Sequence, residues 1–582
     1  MKKLLSVFIA VLMCMTAMTT AISVSAKETN TVETSATVGN ISWSVSGGVL
    51  YLIGSGDIPD FTPYYSAPWS TKYNEIRKVV ISENVTSIGN YAFYNLSNLT
   101  YVQFDGNSKL NKIGERAFSY CTNLTDITLP NSVKSVGNEA FGSCRALVNF
   151  STNASANFGD YEFYNCVNLK TVSTPNAKSF GSYAFSCCSM LTNANLGKAT
   201  LEKYCLYNDN NLVSVTAGSL KQYAFYGASN LKSLNIKNAK SIESYALYNL
   251  PKITSINTNA TSIESSAFYG TNNIKSATLP KLKKVSDNLF RYSTDIQTVK
   301  LGAAETIGKY SFANCSKLKT VTGTSKVKKI NDAAFGGCKN LTKLSTSNKL
   351  TYIGYQSFFN CQKLTGSFNF SNVTFVDAQA FFNCKKLSSS LNFRKVKEIG
   401  FEAFVNCQKL KGNTLGTKIK KLGSKSFLGC KSLGSVYIPS TCKSIGYDSF
   451  IKNIKSITET SNNYISYKYN YNGKKITIYG NKGSQAQSYA KLYKNPFKYA
   501  VKSVSVNSTK VTIKKGKSFK LKTYVSPSNC ANRKVTVKSS NAKIATIDSK
   551  GTIKGISKGK CKITVTSRDG SLKSKTVTVT VK

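Results

Sequence analysis

The 582-residue chain contains no histidine. That removes the usual general base near neutral pH, the commonest zinc ligand and every nucleophile–histidine pair. Acidic residues are scarce as well, 27 against 78 Lys and Arg. The 16 cysteines include no C-x-x-C pair, so the familiar thiolate spacing of a metal site is missing. Long apolar runs are nearly absent. The one exception, Leu4 to about Met18, is too short and wrongly flanked for a membrane span. With Lys2 and Lys3 before it and Val24, Ser25 and Ala26 after it, it reads as an export signal cleaved after Ala26. A lipid anchor at Cys14 is disfavoured by the bulky Met13 beside it. The TVTVTVK ending carries no anchoring pattern. The expectation is an extracellular protein, secreted or noncovalently attached to the cell surface, with no transmembrane span, no cofactor and no metal.

What the chain has in excess is lysine, unevenly placed. Residues 1–300 carry 26 Lys and Arg against 18 Asp and Glu; residues 301–582 carry 52 against 9. Such an imbalance attracts polyanions. For an exported chain the partners expected of it are anionic cell-wall polymers, acidic glycans or host surfaces, and no nucleic acid. Simple solvation by lysine is the plainer reading of the same residues.

The second excess is repetition. One block recurs as IGNYAFYNLSNL at 88–99, IGERAFSYCTNL at 113–124, IGKYSFANCSKL at 307–318 and IGFEAFVNCQKL at 399–410. Its phenylalanine column runs through 17 copies from Phe93 to Phe450, with Leu206 and Leu247 as the only replacements. Spacing drifts between 19 and 25 residues and then holds at 23 from Phe312 onward. A unit this short cannot bury its own apolar face, but stacked units can. The stretch after each block alternates, as in LTDITLP at 124–130 and LKSLNIK at 231–237, which predicts a short strand with one buried face. The block around the phenylalanine is expected to form a helical turn on the opposite side.

The block resembles the leucine-rich repeat of BspA-like bacterial surface proteins, with their I-G-x-x-A-F-x-x-C-x-x-L signature, over residues 79–455. ISWSVSGGVLYLIGSGDIPDF, with APWS, is similar to that family's N-terminal cap and holds Trp43 and Trp69. KKITIYGNKGSQAQSYAKLYKNPF at 474–497 is similar to its closing cap, expected as a hairpin and a short helix. SSNAKIATIDSKGTIKGISKGKCKITVTS resembles a group 2 bacterial immunoglobulin-like domain, with Val537 where that family usually has tryptophan. The short alternating strands of this tail independently argue a β-sandwich. The expected architecture is therefore an α/β leucine-rich-repeat solenoid followed by an all-β sandwich. Its segments are a signal peptide at 1–26, an N-terminal cap at 27–78, the solenoid at 79–455, a closing cap at 456–500 and the immunoglobulin-like domain at 501–582. The resemblance implies a non-enzymatic binding protein for adhesion to host proteins, glycans or other cells. The alternative is a structural protein held on anionic wall polymers by the basic C-terminal half.

Three columns of the repeat are candidate functional or structural positions. Cys315, Cys338, Cys361, Cys384, Cys407 and Cys430 recur every 23 residues, after an earlier run of Cys121, Cys144, Cys166 and Cys188. Stacked Cβ atoms ~4.8 Å apart exceed the ~3.5–4.5 Å of a disulfide. The same column accepts Leu96, Ala228, Leu250, Thr271 and Ser293, so a ladder of buried free thiols is expected. Cys530 and Cys561 remain the best candidates for a disulfide. Two residues before the phenylalanine, Tyr161, Tyr183, Tyr204, Tyr223 and Tyr245 form an unbroken run. Elsewhere that column holds Arg116, Glu139, Glu402, Lys425 and Asp448, which implies exposure. An exposed aromatic stripe suits protein or sugar contact, or simply shields the coil. The outward strand positions, among them Thr100, Tyr101, Gln103, Asp126 and Thr128, offer hydroxyls and amides but not the paired carboxylates of a glycosidase. GNKGS at 480–484 lacks a phosphate-loop ending and reads as a capping turn.

Overall fold

The computed structural model describes residues 36–344, 346–365, 368–388, 393–412, 415–459, 465–470, 473–530 and 532–582. The expected signal peptide lies outside these residues. Most coils contribute a strand of up to four residues, a turn, a short second strand, usually of two residues, and the phenylalanine block. Both strands pair in parallel and in register with the neighbouring coils. Asn149, Phe150 and Ser151 lie beside Thr171, Val172 and Ser173. Asn157 and Phe158 lie beside Ser179 and Phe180. Because register is kept, equivalent residues stack on one another, and the alternation of each strand sends one residue in and its neighbours out. Asp126–Thr128 shows this, with Ile127 buried between two exposed residues. The glycine of the I-G pair is steric: a Cβ on Gly137 would lie 2.5 Å from the Glu115 backbone nitrogen of the preceding coil.

The helical turn expected around each phenylalanine does not form. In all 17 copies the residue two before the phenylalanine position is left-handed, with φ between 49° and 58°. In most copies the residue two after it is left-handed too, usually Asn or Gly, as at Asn165 (φ 61°) and Gly337 (φ 77°). A left-handed residue every fourth position cannot continue a right-handed helix. The backbone instead bonds across coils: Tyr161, Phe163 and Asn165 donate their N–H groups to the carbonyls of Ser182, Ala184 and Ser186 at 2.9, 2.7 and 3.1 Å. Within the coil only tight turns remain, such as Cys166 N–H to Phe163 O at 3.1 Å. The architecture is thus a β-solenoid. Among the described residues the one α-helix is Gln485–Leu492, outside the repeats.

The phenylalanines form the spine. Phe312, Phe335, Phe358, Phe381, Phe404, Phe427 and Phe450 stack with ring centres 5.1–5.7 Å apart and are fully buried. Burying each ring stabilises by roughly 1.5–3 kcal/mol relative to exposure. Both ends of the spine are closed by aromatic rings. Trp69 stacks on Phe93 at 5.8 Å and donates its indole N–H to Ala92 O at 2.8 Å. Tyr489, from the helix, meets Phe450 edge-on at 5.7 Å. The segment expected as a hairpin and helix is a strand–helix–strand unit. Thr477–Gly480 and Phe497–Tyr499 add two parallel strands after Ser435–Tyr437.

Before that cap, an antiparallel hairpin of Ile454–Glu459 and Ile465–Tyr469 folds back over the solenoid. Ile454, Ile457, Tyr467 and Tyr469 pack on Phe382, Val405, Leu428 and Ile451, a small core separate from the spine. The immunoglobulin-like domain has its own core, including Val511, Ile553, Ile563, Val577 and Val579. Val537 packs against it where tryptophan was expected. Cys530 and Cys561 are unbonded.

Candidate functional site

The left-handed backbone two residues before each phenylalanine sets one column of side chains on the turn face. The residue just after the phenylalanine supplies a second. We call these the leading and trailing columns. In the leading column, Tyr161, Tyr183, Tyr204, Tyr223 and Tyr245 lie face to face, with ring centres 5.1–5.2 Å apart and planes within 12°. Tyr161 is exposed, and the other four are half-buried because each covers the next. Burial first, and the neighbouring phenols second, push the hydroxyls of Tyr183, Tyr204 and Tyr223 above the usual tyrosine range, so they stay protonated donors.

The trailing column holds a second stack that the motif alignment did not single out. Tyr207, Tyr226, Tyr248 and Tyr269 follow one another at 5.7–6.1 Å with planes within 11°. Edge contacts tie the two stacks together, as between Tyr204 and Tyr207 at 5.8 Å and between Tyr223 and Tyr226 at 5.9 Å. The signal was present in the aligned copies, one residue after the phenylalanine. The result is a double row of rings whose faces are occupied by neighbours and whose edges and hydroxyls are presented outward.

Elsewhere the leading column pairs with itself by chemistry. Arg116 bonds Glu139 at 2.5 Å and Tyr91 at 3.1 Å. Gln356 donates to Gln379 at 2.6 Å, and Gln379 to Glu402 at 2.9 Å. The exposure expected for this column does not hold for its charged members: Arg116, Glu139 and Lys425 are half-buried, and Glu402 and Asp448 are buried. The hairpin covers the last two: Tyr467 donates its hydroxyl to Glu402, and Tyr469 donates to Asp448 at 2.6 Å. The Lys425 ammonium, 4.0 Å from Glu402, lies over the rings of Tyr447, Tyr467 and Tyr469 at 5.5–5.6 Å.

The cysteine column is internal. Cys315, Cys338, Cys361, Cys384, Cys407 and Cys430 are buried, unbonded thiols. Each donates to the carbonyl of a spine phenylalanine, as Cys384 does to Phe358 O at 3.0 Å and Cys407 to Phe381 O at 3.1 Å. Burial pushes these thiols well above the ordinary range, which disfavours the reactive thiolate. Two acids interrupt such columns and escaped notice in the sequence. Asp209 stands in the cysteine column, and Glu162 stands just before Phe163 where most copies have alanine or serine. Both are fully buried with no close, well-aligned hydrogen bond, and burial raises both carboxyls well above the usual range, the backbone near Gly159 and Ala140 for Glu162 and near Cys188 for Asp209 offsetting it only in part. No group of three or more His, Cys, Asp or Glu among the described residues is placed to hold a metal ion.

A solenoid with two side-chain columns displayed on its turns is a repeat scaffold of the leucine-rich class. The family model for the BspA type leucine rich repeat region matches residues 71–192, 199–304, 261–388 and 386–499. The chain belongs to that family, which is surface-associated in bacteria and typically binds rather than catalyses. The bacterial Ig-like domain (group 2) matches residues 500–579. A leucine-rich repeat protein from Eubacterium ventriosum is similar at 22% identity, over 57% of this chain and 94% of its own, with a TM-score of 0.28. Another from Bacteroides ovatus is similar at 18% identity, over 80% of this chain and 99% of its own, with a TM-score of 0.30. A kappa-carrageenase from Pseudoalteromonas carrageenovora is 40% identical over 81 residues, 14% of this chain. The chain spans about a fifth of that curated relative's length. No helix among the described residues is long and apolar enough to cross a membrane.

Proposed function

We propose that this chain is exported and acts as a non-enzymatic binding protein at the cell surface, adhering to proteins of a host or of other cells through the turn face of its solenoid. The observation that carries the reading is the double tyrosine row. Aromatic side chains with hydroxyl tips give large contact area at low conformational cost and are enriched where proteins meet. The row favours a protein over a glycan because sugars stack on open ring faces, and here neighbouring rings fill the faces. The test is a parallel protein-array and glycan-array screen of the mature chain and of the Tyr183→Ser, Tyr204→Ser, Tyr223→Ser triple variant. The expected result is protein ligands whose binding weakens about tenfold or more in the variant, the loss of a typical hot spot. Equal binding by both proteins, or glycan ligands alone, rejects it.

A second role is favoured by the lysine excess. The immunoglobulin-like domain alone carries 20 Lys and Arg against 2 Asp. We propose that the basic C-terminal half holds the protein noncovalently on anionic wall polymers. The screening length falls from about 8 Å at physiological salt to about 3 Å at 1 M. Salt at 1 M should strip the chain from cells, and a chain ending near residue 500 should bind walls more weakly. Retention through the 1 M wash, or equal binding by both chains, would assign attachment to the solenoid itself.

A further inference from the structure

The two aromatic columns stop abruptly. After Tyr269 the trailing column reads Arg291, Ala313 and Gly336 before rings resume at Phe359. The leading column has Tyr310 and then Ala333. Where these side chains shrink to a methyl group or to nothing, the turn face sinks into a groove of about 490 Å³. Arg291 and Tyr310 wall one end, and Phe359 and Gln356 the other. Phe359 stacks on Phe382 at 5.1 Å, but no described ring covers its opposite side. Tyr310 carries the Arg291 guanidinium 4.9 Å from its ring centre, and no described ring stacks on it. Two ring walls therefore border a gap on the face that, from Tyr161 to Tyr269, carries at least one tyrosine ring of these columns in every coil.

The charge of the groove points the same way. Arg291 is held over the rings of Tyr292 and Tyr310 at 5.0 and 4.9 Å. It bonds Asn288 Oδ1 at 3.2 Å and approaches the Tyr292 hydroxyl at 3.5 Å, but its buried Nε has no partner. Among the described residues no Asp or Glu lines the groove. A guanidinium fixed by stacking, with donor capacity to spare and no carboxylate beside it, is matched to an acidic ligand.

We propose that this groove binds an acidic peptide segment of a partner protein, one aromatic side chain entering the gap while an adjacent carboxylate meets Arg291. The proposal rests on the protein-binding reading above and gives it a second, separate contact. The inserted ring replaces the one that the coils of Ala313 and Gly336 omit. A sugar chain needs a broad ring platform, and the groove offers walls instead.

Gly336→Tyr tests it without emptying anything. A Cβ at Gly336 meets no atom closer than 3.4 Å, and the residue lies outside the left-handed region, so the new ring should simply extend the column. The probes are two labelled, end-capped peptides, GEYEYEG and GEAEAEG, with a glutamine version of the first and tetragalacturonate as the sugar arm. Binding to the full mature chain is read by anisotropy for the peptides and by calorimetry for the sugar, with a thermal melt for every variant. The expected result is that only the tyrosine peptides bind. Gly336→Tyr should melt no lower than the parent and bind about tenfold or more weakly, the scale of a lost anchor. Arg291→Gln should weaken GEYEYEG but leave the glutamine peptide unchanged. Unaltered binding in Gly336→Tyr, equal binding of GEAEAEG, no binding of either tyrosine peptide, or binding of tetragalacturonate alone overturns the proposal. Tyr204→Ser separates it from the broader reading. If that variant loses array ligands while Gly336→Tyr keeps every peptide, the tyrosine face binds and the groove does not.

Discussion

The two ends of the solenoid's turn face solve one stacking problem with different chemistry. Between Tyr161 and Tyr269 the columns are rings on rings, left open at their edges. Between Gln356 and Asp448 the leading column is amides and charges, and the hairpin buries much of it. Inside the same C-terminal coils, Asn383 bonds Asn360 and Asn406 bonds Asn383, each at 2.7 Å. In-register parallel coils place like beside like, so any side chain chosen for a column must satisfy its own copies. Asparagine, glutamine and tyrosine do this; an isolated carboxylate does not. The covered C-terminal turns read as structure and the uncovered N-terminal turns as surface.

The spine should be the least forgiving element in both regions. Phe358→Ala removes a fully buried ring stacked on both sides, at 5.2 and 5.1 Å. A loss of about 3–5 kcal/mol in urea unfolding is expected, as for buried aromatic truncations generally. Phe225→Ala, where the neighbouring copies supply Leu206 and Leu247, should cost less, because no ring stack is broken. Equal losses would show that burial alone, without stacking, sets the strength of the spine.

The next effect has the opposite sign and belongs to the N-terminal half. Glu162→Ala and Asp209→Cys restore the side chains that their columns otherwise use and remove buried carboxyls that lack a well-aligned hydrogen bond. Each should stabilise the chain at pH 7 by about 1–3 kcal/mol, the usual burden of an unsatisfied buried polar group. Both carboxyls are raised in the folded state. At pH 7 the unfolded chain therefore releases protons that the folded chain retains, and folding is penalised. Acidification toward about pH 4, the ordinary carboxylate range, removes the penalty. The variants' advantage in thermal melts should accordingly shrink as pH falls. An advantage independent of pH would mean that the two acids are ionised in the fold.

The smallest effect separates nothing between the halves, and that is its use. Thiols in the early run and in the 23-residue run should be equally protected. Native protein should resist alkylation at Cys188 and Cys384 alike, and denatured, unreduced protein should label at both. Missing label on adjacent rungs of either run after denaturation would reveal disulfides between them.

The repeat, its period, the buried thiols and the sandwich tail were legible because each is a statement about one column or one alternation. The backbone of the phenylalanine block was not. Apolar spacing around Phe93 or Phe404 fits a helical turn, and only Asn and Gly two residues later, as at Asn95, Asn406 and Gly429, signal left-handed backbone. Tyrosine at the other left-handed position disguises it further, since tyrosine rarely marks that conformation. Exposure of Glu402 and Asp448 was misjudged because their cover arrives from Tyr467 and Tyr469, outside the repeat. The second tyrosine stack was readable but needed the coils superposed column by column.

Hydroxyl-radical footprinting of the mature chain, free and with an array-selected protein ligand bound, tests the central claim most directly, because it reads tyrosine edges on every face at once. Protection should fall on Tyr183, Tyr204, Tyr207, Tyr223, Tyr226 and Tyr248, while Tyr101 on the strand face and Tyr524 in the immunoglobulin-like domain stay as reactive as before. Protection of Tyr101 with an unchanged tyrosine double row would place recognition on the strand face and contradict the account.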